Sequence, residues 1–103
     1  MNLGDLLAEV AADLPGVDTM ETASGSKNWS GNGVTFAALR ADGVTAEFRL
    51  DPAVAAAAMG TPSVMASELG PAWVTFAPPV LDDHAADRAA AWFASAYRRL
   101  SHG

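Results

Sequence analysis

Two alternating runs of residues on either side of an Asp-Gly pair constrain this chain more than any other feature. The first run covers residues 33–40 and the second covers residues 44–50, with Asp42-Gly43 between them. Apolar and polar residues that alternate around an Asp-Gly pair are typical of a β-hairpin. The second run alternates without interruption, which predicts a sheet with one packed face and one face in water.

The length of the turn decides which side chains meet across this hairpin. A two-residue loop would place Phe48 opposite Ala37 and leave Phe36 on the wet face, whereas a three-residue loop pairs Phe36 with Phe48. A slip of one residue moves every side chain to the other face, so burial favours the three-residue loop. In that register Gly43 takes the left-handed position of a type I turn followed by a bulge.

Length and composition indicate one domain over residues 1–103, because a chain of 103 residues can bury a single core. Without cysteine, the chain has no disulfides, no thiolate metal site and no cysteine nucleophile. No stretch resembles a signal peptide or is long and apolar enough to cross a bilayer. We therefore expect a soluble, cytoplasmic protein.

The charge balance bears on partners. Twelve acidic residues face six basic ones, which gives a net charge of −6 and an isoelectric point near 4.5. Non-specific affinity for nucleic acid comes from Lys and Arg side chains that displace counterions from phosphates. The composition therefore disfavours nucleic acid as a partner.

The remaining periodic stretches complete an α+β domain. Residues 2–14 predict an amphipathic helix capped by Asn2, and Asp51-Pro52 predicts the start of a second helix, with Asp51 capping its free N–H groups. A third helix is expected from Asp82-Asp83 to about residue 100. Strands are predicted at residues 17–24, at 63–67 and at 72–77, while residues 25–33 fit either a short strand or a mobile loop. The predicted core consists of Leu6, Leu7, Val10, Phe36, Phe48, Leu50, Val54, Val74, Phe76, Trp92, Phe93 and Ala96.

Catalytic and metal-binding patterns are weak. His84 lies near three aspartates at the start of the last helix, which fits either a metal ligand or, preferably, an acidic helix N-terminus. His102 lies at the end of the chain and is given no role. No nucleophile motif and no dinucleotide-binding motif occurs. We therefore predict neither an enzyme nor a bound metal or cofactor.

One aromatic residue stands apart from the periodic elements. Trp29 lies beside Lys27 in a polar, glycine-rich stretch, where its ring either stacks on a ligand or, preferably, folds back on the sheet. The wet face of the hairpin is half apolar, which suits a second copy of the chain or another protein; no membrane contact is expected. The predicted binding surface consists of Lys27, Trp29, Leu39, Arg40, Thr45 and Arg49.

Several short motifs resemble the MmcQ/YjbR family of small bacterial proteins. They are Leu14-Pro15-Gly16-Val17, the stretch of residues 25–37 with Trp29, Gly33 and Phe36-Ala37, then Arg49-Leu50-Asp51-Pro52, Trp73-Val74 and Ala96-Tyr97-Arg98. The resemblance implies two layers: an antiparallel sheet of about four to six strands, with the N-terminal, middle and C-terminal helices packed on one face. It also implies DNA binding through a proposed double-wing fold. Ser24 and Val34 stand where the family often has a histidine and a basic residue.

These observations lead to two functional hypotheses. The first is a non-enzymatic binding or interaction module that uses the surface around Trp29 and the wet hairpin face. The alternative is DNA binding, as the resemblance implies, which the net charge of −6 disfavours.

Overall fold

A computed structural model describes residues 2–100 and shows the predicted α+β fold, with three helices packed on one face of a six-stranded antiparallel sheet. The strands lie side by side in the order β1-β2-β3-β4-β6-β5. The elements are α1 (Leu3–Ala12), β1 (Asp18–Glu21), β2 (Lys27–Gly31), β3 (Val34–Leu39), β4 (Ala46–Arg49), α2 (Pro52–Ala58), β5 (Val64–Ala66), β6 (Trp73–Phe76) and α3 (Asp83–Arg99).

The helix starts follow the local sequence. The Asn2 side chain accepts a hydrogen bond from the Asp5 backbone N–H at 2.8 Å, and Asp82 does the same for Ala85 at 2.8 Å. Both contacts satisfy a backbone donor that the first turn of a helix leaves free. Asp51 precedes α2 but makes no side-chain capping bond, so its predicted capping role is wrong.

The stretch that fitted either a strand or a loop is the strand β2, and Trp29 at its centre is fully buried. It pairs with β1 on one side and β3 on the other. β1 confirms the strand predicted within residues 17–24 and lies at the edge of the sheet, and the mobile-loop alternative for residues 25–33 is wrong.

The hairpin of β3 and β4 has the other register. Ala37 lies opposite Phe48 and Leu39 lies opposite Ala46, which is the pairing of the shorter loop. The predicted pairing of Phe36 with Phe48 is wrong. Ala37 and Leu39 therefore lie on the face that packs against the helices, whereas the predicted register would have placed them in water.

The turn itself closes with two backbone hydrogen bonds. Arg40 donates its N–H to the Thr45 carbonyl at 2.9 Å, and Gly43 donates to the Arg40 carbonyl at 3.0 Å. Gly43 has a φ of 75°, the left-handed conformation that was expected of it.

A β-bulge explains why the predicted register fails. Trp29 pairs with Ala37, but the next residue, Ser30, pairs with Thr35, so Phe36 is an extra residue on β3. A bulge interrupts strict alternation, and here Phe36 and Ala37 are both fully buried. The expectation that this register would leave Phe36 in water assumed unbroken alternation.

Aromatic contacts join α3 to the sheet. The Phe93 ring meets the Trp29 and Phe36 rings edge to face, with centroids 5.5 Å and 5.2 Å away. Trp92 meets Phe76 in the same way at 5.1 Å. Of the predicted core, Leu7, Phe36, Phe48, Leu50, Val74, Phe76, Phe93 and Ala96 are buried, while Leu6, Val10, Val54 and Trp92 are partly buried against them.

Candidate functional site

One face of the sheet carries no helix within the described range, and we call it the open face. A row of directly paired residues crosses this face from β1 to β5. Its members, in spatial order, are Met20, Asn28, Ala38, Glu47, Thr75 and Met65. The open face is therefore the side of the sheet opposite the helices.

The structure divides the predicted binding surface between the two faces. Arg40, Thr45 and Arg49 lie on the open face, because they alternate with residues that pair on the helix face. Lys27 pairs with Leu39 on the helix face. The six residues therefore do not form one surface.

Two of the predicted surface residues belong to the core. Trp29 is 0% exposed and packs on Phe93, and Leu39 is 5% exposed. The Leu39 Cδ2 atom lies 3.1 Å from the place where a Cβ atom on Gly4 would stand, so Leu39 packs beneath α1. Neither side chain is accessible to a ligand, and the expectation that they form part of a surface is wrong.

Glu47 is the centre of the open face, and sequence reasoning had placed it simply in water. Its side chain is 7% exposed, and its Oε1 atom accepts a hydrogen bond from the Arg40 Nε–H at 3.0 Å. Oε2 accepts from the hydroxyl of Ser67 and, at 3.5 Å, from that of Thr75. The pKa of Arg40 is raised, chiefly by this hydrogen bond with Glu47. Both carboxylate oxygens thus have partners, as a buried charge requires.

No pattern in the sequence predicted this hydrogen-bonded cluster around Glu47. Ser67 and Thr75 lie 20 and 28 residues from Glu47 along the chain and reach it only because β6 pairs with both β4 and β5. In the observed hairpin register Arg40 lies on the same face as Glu47, whereas the predicted register would have placed the two residues on opposite faces.

The predicted surface residue Thr45 is tied to the turn. The Asp42 carboxylate accepts hydrogen bonds from the Val44 N–H at 2.9 Å, the Thr45 N–H at 3.0 Å and the Thr45 hydroxyl at 2.7 Å. The pKa of Asp42 is lowered, first by the bond from the Val44 N–H and then by the Thr45 hydroxyl. The Thr45 side chain therefore stabilises the turn.

Exposed apolar side chains flank the polar centre. Met20 is 68% exposed at one end of the row and Met65 is 58% exposed at the other. Trp73 pairs with Arg49 on the open face and is partly buried. We call Met20, Met65 and Trp73 the apolar rim.

The other residues considered for chemistry are spread apart. His84 is exposed in the first turn of α3, and no group of three potential metal ligands occurs among residues 2–100. His102 lies outside the described residues. None of the helices between residues 2 and 100 combines the length and apolar character needed to cross a membrane.

The chain matches no protein-family model, and it has no significant match among curated proteins or solved structures. The resemblance to the MmcQ/YjbR family, and with it DNA binding, stays a prediction.

Proposed function

We propose that this protein is a non-enzymatic interaction module that binds protein through its open face, with a second copy of the chain as its partner. The observation that supports the proposal is a sheet face opposite the helices whose two outer strands carry the exposed side chains Met20 and Met65, on either side of a polar centre that is already paired within the chain.

The side chains of the apolar rim suit a protein partner. Methionine is flexible and polarisable, so it adapts to irregular contacts, and tryptophan is enriched among the residues that dominate interface energy. The Glu47 carboxylate already accepts from Arg40, Ser67 and Thr75, so a partner that covers it leaves no acceptor unpaired. Burial of this face is therefore favourable for its apolar atoms and leaves the Glu47 carboxylate paired.

A second copy suits the order of residues along the row. The row begins with Met20 and ends with Met65, so a two-fold axis that runs parallel to the strands near the centre of the row would place the Met20 end of one copy against the Met65 end of the other. Six strands at a spacing of about 4.8 Å give a width of about 24 Å. About four residues per strand add a length of about 13 Å, or about 300 Å² of flat area. Stable interfaces bury about 800 Å² on each partner, so we expect a weak, reversible dimer.

Nucleic acid is the second candidate, and one observation favours it beside the family resemblance. Arg49 on the open face and Arg99 at the end of α3 line the same cleft. Against it, Arg40 is neutralised by Glu47, which removes one of the few cations from this face. The net charge of −6 opposes a polyanion as well.

Salt separates these two candidates because its effects have opposite signs. Two copies of a chain with a net charge of −6 repel each other, so added salt should screen the repulsion and strengthen the dimer. Binding to DNA is favoured by the release of counterions from the phosphates, and this gain shrinks as the salt concentration rises, so complexes with DNA weaken in added salt.

The test is sedimentation velocity over a range of about 10 μM to about 1 mM protein, at low and high salt. We expect reversible dimerisation that tightens with salt and is weakened at least about tenfold by Met65→Glu. Val80→Glu is the matched control, since Val80 is 67% exposed and lines a different cleft beside α3. A monomer throughout this range, or equal effects of both substitutions, would refute the proposal; salt-sensitive binding of a DNA duplex would favour the second candidate.

A further inference from the structure

A surface cleft of about 240 Å³ opens at the end of the sheet where β4 ends and α3 finishes. It is lined by Val34, Arg49, Arg99 and Leu100. Two arginines thus share a small cleft with two apolar side chains in a chain that has only six basic residues.

The two guanidinium groups have no acidic partner in the part of the chain that the structure describes. The ion pair there joins Arg40 and Glu47, and no carboxylate among residues 2–100 lies within 4.0 Å of a guanidinium nitrogen of Arg49 or Arg99. In a chain with twice as many acids as bases, two like charges brought to one cleft without a counter-charge are unusual.

Arg99 is also held in position. Its Nη1 atom donates a hydrogen bond to the Leu50 carbonyl at 3.0 Å, which fixes the guanidinium against the end of β4. The remaining N–H groups of a guanidinium point in fixed directions, and such a planar fork matches the oxygens of a phosphate or a carboxylate. Arg49 is the last residue of β4 and is half-buried.

We propose that the cleft between Arg49 and Arg99 binds a small dianionic oxyanion, of which inorganic phosphate is the simplest example. A dianion matches the two guanidinium charges, and the cleft is several times larger than the about 30 Å³ that one water occupies in the liquid. The inference does not rest on the proposed dimer, because it uses a different observation, although Arg49 pairs with Trp73 of the apolar rim.

The test is a titration of the protein with inorganic phosphate, followed by the side-chain Nε–H signals of the arginines in nuclear magnetic resonance spectra. Sodium chloride at matched ionic strength is the reference, and sodium acetate is the arm with a single negative charge. We expect saturable shifts of the Arg49 and Arg99 signals with phosphate and weaker binding of acetate. Arg49→Gln should weaken phosphate binding by at least about tenfold.

Two further variants keep the test specific. Arg88→Gln removes an exposed arginine of α3 that lines another cleft, and it should leave the phosphate affinity unchanged. Met65→Glu, the substitution that tests the dimer, should also leave it unchanged. Shifts that fail to saturate, that appear equally with chloride or acetate, or that persist in Arg49→Gln would overturn the inference.

Discussion

The substitution Leu39→Glu tests the hairpin register directly, because the two registers place Leu39 on opposite faces. In the structure Leu39 pairs with Ala46, is 5% exposed and packs beneath α1 near Gly4. In the register expected from unbroken alternation it would point into water, where glutamate is harmless. The same change is therefore predicted to be severe in one register and mild in the other.

The size of the effect follows from two costs. Loss of a buried leucine side chain costs about 1.5–3 kcal/mol. Glutamate at this site is best accommodated in its neutral form, and protonation at pH 7 of a group with a pKa of about 4.3 costs about 3.7 kcal/mol. The sum is about 5–7 kcal/mol, which is comparable to the whole stability of about 5–15 kcal/mol expected for a domain of this size. We expect the variant to be largely unfolded at pH 7.

The second cost depends on pH in a defined direction. Burial raises the pKa of a glutamate at position 39 in the folded state above its unfolded value, so ionisation destabilises the folded state at high pH. Below the unfolded pKa of about 4.3 both states are protonated and this cost disappears. The difference from the parent chain should therefore shrink to about 1.5–3 kcal/mol near pH 4.

Urea unfolding followed by far-ultraviolet circular dichroism measures both values, with the parent chain at the same pH as reference. Thr35→Glu is the matched control, because Thr35 is an exposed residue of the same strand and its substitution should change stability by about 1 kcal/mol or less. If Leu39→Glu is within about 1 kcal/mol of the parent at pH 7, Leu39 faces water and the observed register is refuted.

Two other predictions concern the core and the turn. Phe93→Ala should lower the free energy of unfolding by about 3–5 kcal/mol, measured in urea, because Phe93 is fully buried against Trp29. Trp92→Ala should lower it by less, since Trp92 is partly exposed. A larger loss for Trp92→Ala than for Phe93→Ala would contradict the packing described. Asp42→Asn should destabilise most at neutral pH: the lowered pKa of Asp42 means that its ionised form stabilises the fold above about pH 4 and that this stabilisation is lost as the pH falls. The difference between Asp42→Asn and the parent should therefore narrow as the pH falls below about 4; a constant difference would show that the turn does not depend on the charge.

The sequence by itself determined the features that depend on neighbouring residues. The cap at Asn2, the helix start at Asp82 and the left-handed glycine at position 43 all rest on interactions within four residues, and each is present. The order of helices and strands followed from periodicity for the same reason. These local preferences were enough to predict an α+β domain and most of its core.

The tertiary structure decided which residues face which way, because that depends on strands far apart in the chain. The extra residue Phe36 is defined only by its pairing with β2, and it reverses the face of Leu39 relative to simple alternation. Two hydrogen-bond donors to Glu47 are the hydroxyls of Ser67 and Thr75, which lie close to it only because β6 pairs with both β4 and β5. A single bulge therefore moved Leu39 from the predicted binding surface into the core, since the side-chain period of a strand is two and one added residue exchanges its faces.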